Sequence, residues 1–243
     1  MDTPFLSLII PAYNEEQRLP DSLERILAFL EDQSYTSEII VVDNASTDQT
    51  GEIISEYARR YPRIKGQQEQ QPGKGAAVKK GMLNSQGQFR FMCDADLSMP
   101  IEELNQFLPP QLQDFDLAIA SREAPGAVRY HEPYHRHLGG RLINFWIRLL
   151  LLPGLHDTQC GFKCFRAPVA EDLFRHQTLH GWSFDIELLT IARMRDYTIQ
   201  EIAIPWYFDS ESKVNAFRDA WGILFDILTI RQNRQRGVYD RKN

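Results

Sequence analysis

The sequence predicts an α/β protein built on a mostly parallel sheet with helices on its faces. Three observations carry that prediction. Over the first half of the chain, apolar runs of strand length alternate with segments whose apolar residues recur at helical spacing. A polar cluster follows each main strand, at Asn14–Glu15, Asp43–Asn44 and Asp94–Asp96. No internal repeat or long linker divides the 243 residues, so one large domain is expected over residues 1–243.

The elements follow in order. LSLII is a buried-strand run ended by Pro11, and Leu19, Leu23, Ile26, Leu27 and Leu30 then repeat at helical spacing. EIIVV (Glu38–Val42) is a second strand. In the turn DNASTD after it, Ser46, Thr47 or Asp48 can cap a helix bearing Ile53, Ile54, Tyr57 and Ala58. A weaker strand near Arg63–Gln68 leads into QQPGKG and a helix from about Ala76. QFRFMC and DLAIAS (Asp116–Ser121) are the fourth and fifth strands. From Arg122 onward the pattern is less regular and reads as an extension packed onto the sheet. Parallel sheets bind ligands beyond the C-terminal ends of their strands, so the polar clusters and Gly73–Lys74 should converge on one rim.

A net charge of −6 argues against a general nucleic-acid binder. Two basic zones stand out against it. Arg129, Arg136, Arg141 and Arg148, with His131, His135 and His137, are opposed by Glu132 alone. Residues 231–243 carry Arg231, Arg234, Arg236, Arg241 and Lys242 against Asp240. They fit a local anionic partner, such as phosphate or lipid headgroups, or two solvated helix faces. Cys93, Cys160 and Cys164 form no disulfide framework and fit a reducing compartment. His156, Cys160 and Cys164 are evenly spaced, but no fourth zinc ligand stands near in sequence, which favours ordinary packing of thiols. No signal peptide is expected, because Asp2 follows Met1 and the first apolar run is only strand-length. The most lipid-like segment, FWIRLLLLPGL, is interrupted by Arg148 and Pro153, short of the about 20 apolar residues a span needs. Within RHLGGRLINFWIRLLLLPGL (Arg136–Leu155), Arg141 and Arg148 share a helical face; Leu142, Phe145, Trp146 and Leu149 form another. That pattern, and the ending FRDAWGILFDILTIRQNRQRG, suit helices lying on a bilayer or packing into the domain.

FMCDADLSMP (Phe91–Pro100) carries the sharpest chemistry. In an extended segment Asp94 and Asp96 point the same way, and two such carboxylates suit a hard divalent cation, Mg2+ or Mn2+. The plain alternative is a capped turn. Lys74, in the glycine-flanked PGKGAAVKKGM, can receive a phosphate or a nucleotide edge. GK is followed by Gly75, so this is no Walker A loop.

PAYNEE (Pro11–Glu16), VVDNASTD (Val41–Asp48), PGKGAAVKKGM (Pro72–Met82) and DADLS (Asp94–Ser98), in this order, resemble the inverting family 2 glycosyltransferases of GT-A fold. SREAPGAVRY, HDTQCGFKCFR (His156–Arg166), GWSFDIELL, EIAIPW and the C-terminal segment resemble the dolichyl-phosphate β-glucosyltransferases and related polyprenyl-phosphate enzymes. The resemblance implies a Rossmann-like sheet with a nucleotide-sugar half at 1–121 and an acceptor half at 122–243. It implies a UDP-sugar donor, a polyprenyl-phosphate acceptor and peripheral binding at the cytoplasmic face of a membrane. By position, Pro11, Ala12, Tyr13 and Glu15 would line the nucleotide pocket, with Asp43 at uracil or ribose and Lys74 at uracil or the phosphates. Asp94 would face ribose and metal, and Asp96 would hold the metal against the diphosphate. Asp157 and Gln159 would sit at the reacting centre. Arg122, Arg136, Ser212 and Lys213 would bind phosphates. For Asp157, a helix cap or an ion pair with Lys163 or Arg166 is the structural alternative. Asp185 and Glu187 could equally cap and pack a helix entry. Two departures mark the chain: Asn44–Ala45 replace the commoner Asp-Gly, and Ser98 stands where related mannosyltransferases often carry Gln. Other expectations stay open: Asp157 as a base toward a hydroxyl acceptor, a non-catalytic nucleotide-sugar binder, or a phosphohydrolase with Asp94 as nucleophile.

Overall fold

A computed structural model describes residues 3–131, 144–208 and 216–240 of the chain. Strands β1 (Leu6–Ala12), β2 (Ser37–Asp43), β3 (Ile64–Gln68), β4 (Phe89–Cys93) and β5 (Leu117–Ser121) stand where the alternation placed them. Between them run α1 (Leu19–Glu31), α2 (Thr50–Arg60), α3 (Lys74–Asn84) and the 3-10 helix Ile101–Phe107. None of the three cap candidates before α2 is the cap itself: that position falls on Gln49, whose side chain makes no cap bond, while Asp48 just before it accepts the Thr50 N–H at 3.0 Å through Oδ1. Helix α3 starts two residues before the expected Ala76, at Lys74, behind a Gly73 with φ 125°.

The second half does more than pack onto the sheet. β6 (Val128–Tyr130) is followed by the helical stretch α4 (residues 144–150), β7 (Phe162–Arg166), α5 (Ala167–His176), α6 (Phe184–Met194), β8 (Ile199–Ala203), β9 (Pro205–Tyr207) and α7 (Ala216–Gln235). Among the described residues the main sheet has seven strands in the order β3-β2-β1-β4-β7-β5-β8, so β7 is inserted between β4 and β5. It runs antiparallel to both, while the other pairings are parallel. FKCFR gives no clear strand signal because lysine and two aromatics straddle both faces; only its neighbours make it central.

The apolar strand residues divide by parity between two layers. Leu6, Leu8 and Ile10 face one core cluster with α1 and the 3-10 helix, whereas Ile9, Met92, Ile119 and Phe165 face a second with α5 and α6. Phe91, Phe107 and Phe162 meet edge to face with centroids 4.5–5.4 Å apart, a rigid floor beneath the end of β4.

This topology fixes where chemistry can occur. β1, β2, β4 and β5 all end on one rim, and reversed β7 begins there. The segments after Ala12, Asp43, Cys93 and Ser121 therefore meet the segment before Phe162. Each loop after β1, β2 and β4 holds a non-glycine residue at positive φ: Asn14 at 52°, Ala45 at 57° and Leu97 at 47°. Such strain persists only where the surroundings impose it.

Candidate functional site

The loops after β1 and β2 are stitched together. Asn14 N–H donates to Ser46 Oγ and Glu15 N–H to Thr50 Oγ1, while Asn14 Oδ1 accepts from Thr47 N–H. Tyr13 is left half exposed at the mouth, and Glu15 is ion-paired to Arg18 at 2.7 Å. Pro11 and Ala12 form the end of β1 against Val42 and Asp43. Asp43 is only 3% exposed, and its Oδ1 accepts the Ser46 N–H at 3.0 Å. Asn44 reaches the other way. Its amide donates to Glu69 O and Gln71 O and accepts from Gly73 N–H, tying the glycine loop to β2.

That loop is locked from the far side too. A Cβ on Gly73 would lie 2.2 Å from His180 O, and one on Gly75 2.7 Å from Phe184 Cβ. Side chains are excluded there, so the start of α3 seats against residues 180–184. Lys74 projects from this seat with its side chain 13% exposed. Its Nζ lies 2.6 Å from Asp94 Oδ1 and 5.2 Å from the centroid of the Trp182 ring. Burial favours the neutral amine, but Asp94, Asp185 and Asp96 outweigh it and raise the Lys74 pKa.

The paired aspartates depart from the expected geometry. β4 stops at Cys93, and Asp94–Asp96 form a turn rather than an extended segment. Leu97 N–H returns to Asp94 O, and Asp96 Oδ1 accepts the Ser98 N–H at 3.0 Å. Ser22 of α1 fixes the turn through Ala95 O at 2.6 Å. The turn still brings the carboxylates together: burial, then the Asp94 charge, push the Asp96 pKa up. On its other side Asp94 lies against Gly161, where a Cβ would sit 1.8 Å from Asp94 Oδ2. Among the described residues no three His, Cys, Asp or Glu side chains cluster as a metal site. Two carboxylates in one short turn nevertheless fit a divalent cation completed by water and phosphate oxygens.

The segment before β7 supplies the second half. Asp157 is 3% exposed and grips Arg122, the residue after β5. Its Oδ2 accepts from Arg122 Nε at 2.6 Å and Oδ1 from Nη2 at 3.0 Å, and the Arg122 backbone N–H adds a third bond. Burial alone would raise the Asp157 pKa, but Arg122 pulls it down to about 2. A carboxylate so held is a weak base and a firm anchor. The alternative partners are engaged elsewhere: Lys163 with Asp185 at 2.8 Å, and Arg166 with Phe115 O and Gln113 O. Glu201 of β8 secures the same segment by accepting from the His156 and Asp157 N–H groups. Gln159 N–H caps Asp157 Oδ1 at 3.2 Å.

Arg122 also lies 5.6 Å from the centroid of the Trp206 ring, which Arg129 approaches at 5.5 Å. The small parallel ribbon β6–β9 carries both Arg129 and Trp206. The two halves converge at the buried Cys160 thiol. Burial lifts its pKa to about 12, and Arg122, Asp157, Lys163 and Asp94 all lie close enough to move it. Arg136, Ser212 and Lys213 fall outside the described residues.

Sequence reasoning assigned no functional role to Gly161, Trp182 or Trp206, and offered Lys163 only as a partner of Asp157, whereas it pairs with Asp185. Both tryptophans stood in the quoted motifs, and a tryptophan beside polar residues in a loop is the signal that could have found them. Glu187 resolves as structural: wholly buried, it accepts from Thr178 N–H, Leu179 N–H and Tyr239 O–H. Asp185 resolves as the buried partner of Lys163.

The pattern described as Glycosyl transferase family 2 matches residues 7–174. A dolichyl-phosphate beta-glucosyltransferase of Trichomonas vaginalis is 36% identical over 215 residues, covering 83% of this chain and 65% of the relative. Proteins of that name from Dictyostelium discoideum and Homo sapiens are 30% and 32% identical, covering 100% and 98% of this chain and 79% and 78% of their own lengths. The chain thus spans about two thirds of the first relative and nearly four fifths of the others. Among solved structures, glucosyl-3-phosphoglycerate synthase from Mycobacterium tuberculosis in complex with Mn2+ and UDP-Glc is similar. It superposes with TM-score 0.67 at 19% identity, covering 94% of this chain and 79% of that one. Mannosyl-3-phosphoglycerate synthase from Rubrobacter xylanophilus does so with TM-score 0.69 at 16% identity, covering 99% and 77%. At these identities the likeness is one of fold, and that fold is GT-A.

Proposed function

The chain belongs to glycosyl transferase family 2, and we propose that it transfers glucose from UDP-glucose to a dolichyl-type polyprenyl phosphate, inverting the anomeric carbon. The observation that carries this reading is the meeting, on one rim, of a carboxylate pair beside Lys74 with an arginine locked by a buried aspartate. The names of the curated relatives support the lipid acceptor and the sugar. Membership of the family leaves no place for the phosphohydrolase alternative.

In this reading Pro11, Ala12, Tyr13, Glu15 and Asp43 cradle the nucleoside, and Lys74 takes the diphosphate. Asp96 and Asp94 would hold Mg2+ or Mn2+, which when bound stabilises charge building on the departing UDP. Arg122 receives the acceptor phosphate, with Asp157 fixing the plane of its guanidinium. Gln159 lies at the sugar. Arg136, Ser212 and Lys213 are assigned to phosphates on the family resemblance alone. An acceptor phosphate oxygen is anionic near neutral pH and needs no base, so catalysis rests on positioning and charge. The oxygen attacks the anomeric carbon opposite UDP, the new C–O bond forms, and the bond to UDP breaks with its electron pair leaving on the diphosphate. An α-linked donor then gives a β-linked product. A long-chain lipid acceptor places the protein at a membrane surface, on the side where nucleotide sugars are present. Among the described residues no helix is long and apolar enough to cross a membrane.

A donor screen with polyprenyl phosphate, reading product anomericity, tests this. Expected are metal-dependent UDP release from UDP-glucose stimulated by the lipid, a β-linked product, and a loss of about 100-fold or more in Asp96→Ala. UDP release indifferent to the lipid, or an α-linked product, would sink the reading.

A further inference from the structure

We infer that Lys74 is an exchangeable counter-ion of Asp94: a divalent cation competes with it for the carboxylate, and a nucleoside diphosphate draws it away. One side chain thereby couples nucleotide binding to cation binding. The inference rests on the proposed function only in the choice of nucleotide.

The geometry gives the competition its physical basis. Lys74 Nζ is 2.6 Å from Asp94 Oδ1, and Gly161 is packed so closely against Oδ2 that a Cβ there would displace the carboxylate. A cation approaching Asp94 therefore meets a carboxylate with one oxygen taken by an ammonium and the other against backbone. Movement is confined to the side chain. Asn44 and Gln177 bind the loop backbone at Gly73 and Gly75, and Ala76 N–H is bonded to His180 O. The four-carbon stem of Lys74 can swing beside Trp182, a residue that is 46% exposed.

The local charge balance sets the direction of coupling. Lys74 and Lys163 face Asp94, Asp96 and Asp185, and Arg18, a further cation near Asp96, is itself paired with Glu15. That cluster carries too little net negative charge to hold a divalent cation tightly by itself. A diphosphate supplies the missing charge and at the same time offers Lys74 a second anion. Nucleotide and cation should each raise the affinity for the other by the same factor, as linkage requires.

The test is Mn2+ binding to the full chain, by calorimetry and by the Mn2+ paramagnetic resonance signal, with and without UDP and with no turnover. Lys74→Met should tighten Mn2+ binding without nucleotide by about tenfold or more, because a full charge beside the ligand is removed. It should weaken UDP binding in metal-free buffer and shrink the factor by which UDP improves Mn2+ binding. Lys74→Arg, which keeps the charge, should stay close to wild type in the first measurement. Lys74→Gln serves if the Met variant melts early. Unchanged or weaker nucleotide-free Mn2+ binding in the neutral variants would overturn the inference. If wild type binds Mn2+ but no UDP, the nucleotide reading fails, and the nucleotide-free arm alone then decides whether Lys74 competes for Asp94.

Discussion

Gly161 shows how a residue without a functional group can shape a site. The obstacle to a side chain there is the far end of Asp94, which can rotate, and not a piece of backbone. Gly161→Ala should therefore leave the fold nearly as stable as before, within about 1 kcal/mol by urea titration. It should displace Asp94 and depress Mn2+ and UDP binding by about tenfold or more. A large loss of stability with intact binding would refute that division. Ala45 makes the opposite point. Its φ of 57° is a conformation glycine adopts freely, which accounts for the Asp-Gly that the family resemblance leads one to expect here. Here alanine bears the strain, held by Asn44 and Ser46 on either side.

At the scale of elements, β7 decides the architecture of the site. Running against its neighbours, it delivers Asp157 and Gly161 at its start to the rim where β4 and β5 deliver Asp94 and Arg122 at their ends. Its Lys163 points among the apolar residues beneath α6, 1% exposed, and meets Asp185 there. A buried ion pair of this kind is costly to break and cheap to replace whole. Lys163→Met should lose about 3–5 kcal/mol in urea unfolding because Asp185 is left buried and uncompensated. Adding Asp185→Leu should recover most of that loss. Two single losses that simply add would show the pair to be uncoupled.

At the scale of the whole molecule, α4 and α7 share a design. Ile147, Ile223, Ile227 and Ile230 anchor the two helices in one core cluster. Their outer faces expose Phe145 at 55%, Leu149 at 60%, Phe225 at 67% and Leu228 at 55%. Both helices adjoin the basic zones of the sequence, the combination that favours an anionic bilayer surface. In flotation with vesicles containing anionic lipid, the protein should bind at moderate salt. Phe145→Ser with Trp146→Ser should weaken binding about tenfold or more, each aromatic withdrawing apolar area from the interface. Equal flotation of variant and wild type would assign these faces elsewhere.

The sequence by itself determined the parallel half of the sheet and the rim where its polar loops gather. Apolar periodicity is local, and loops after parallel strands share a side without further information. It also determined the carboxylate pair, the glycine loop with Lys74, and the family, because these reside in short contiguous motifs. Tertiary structure alone decided that Asp94 and Asp96 sit in a turn and that Lys74 lies on Asp94. It alone decided that Asp157 holds Arg122 across 35 residues of chain. It also placed FKCFR, an unremarkable segment in isolation, at the centre of the sheet. The physical reason is common to all of these. A charge chooses its partner by distance and burial in the folded chain, and a strand with mixed residues is chosen by the neighbours that pair with it. Neither is written in the order of residues nearby.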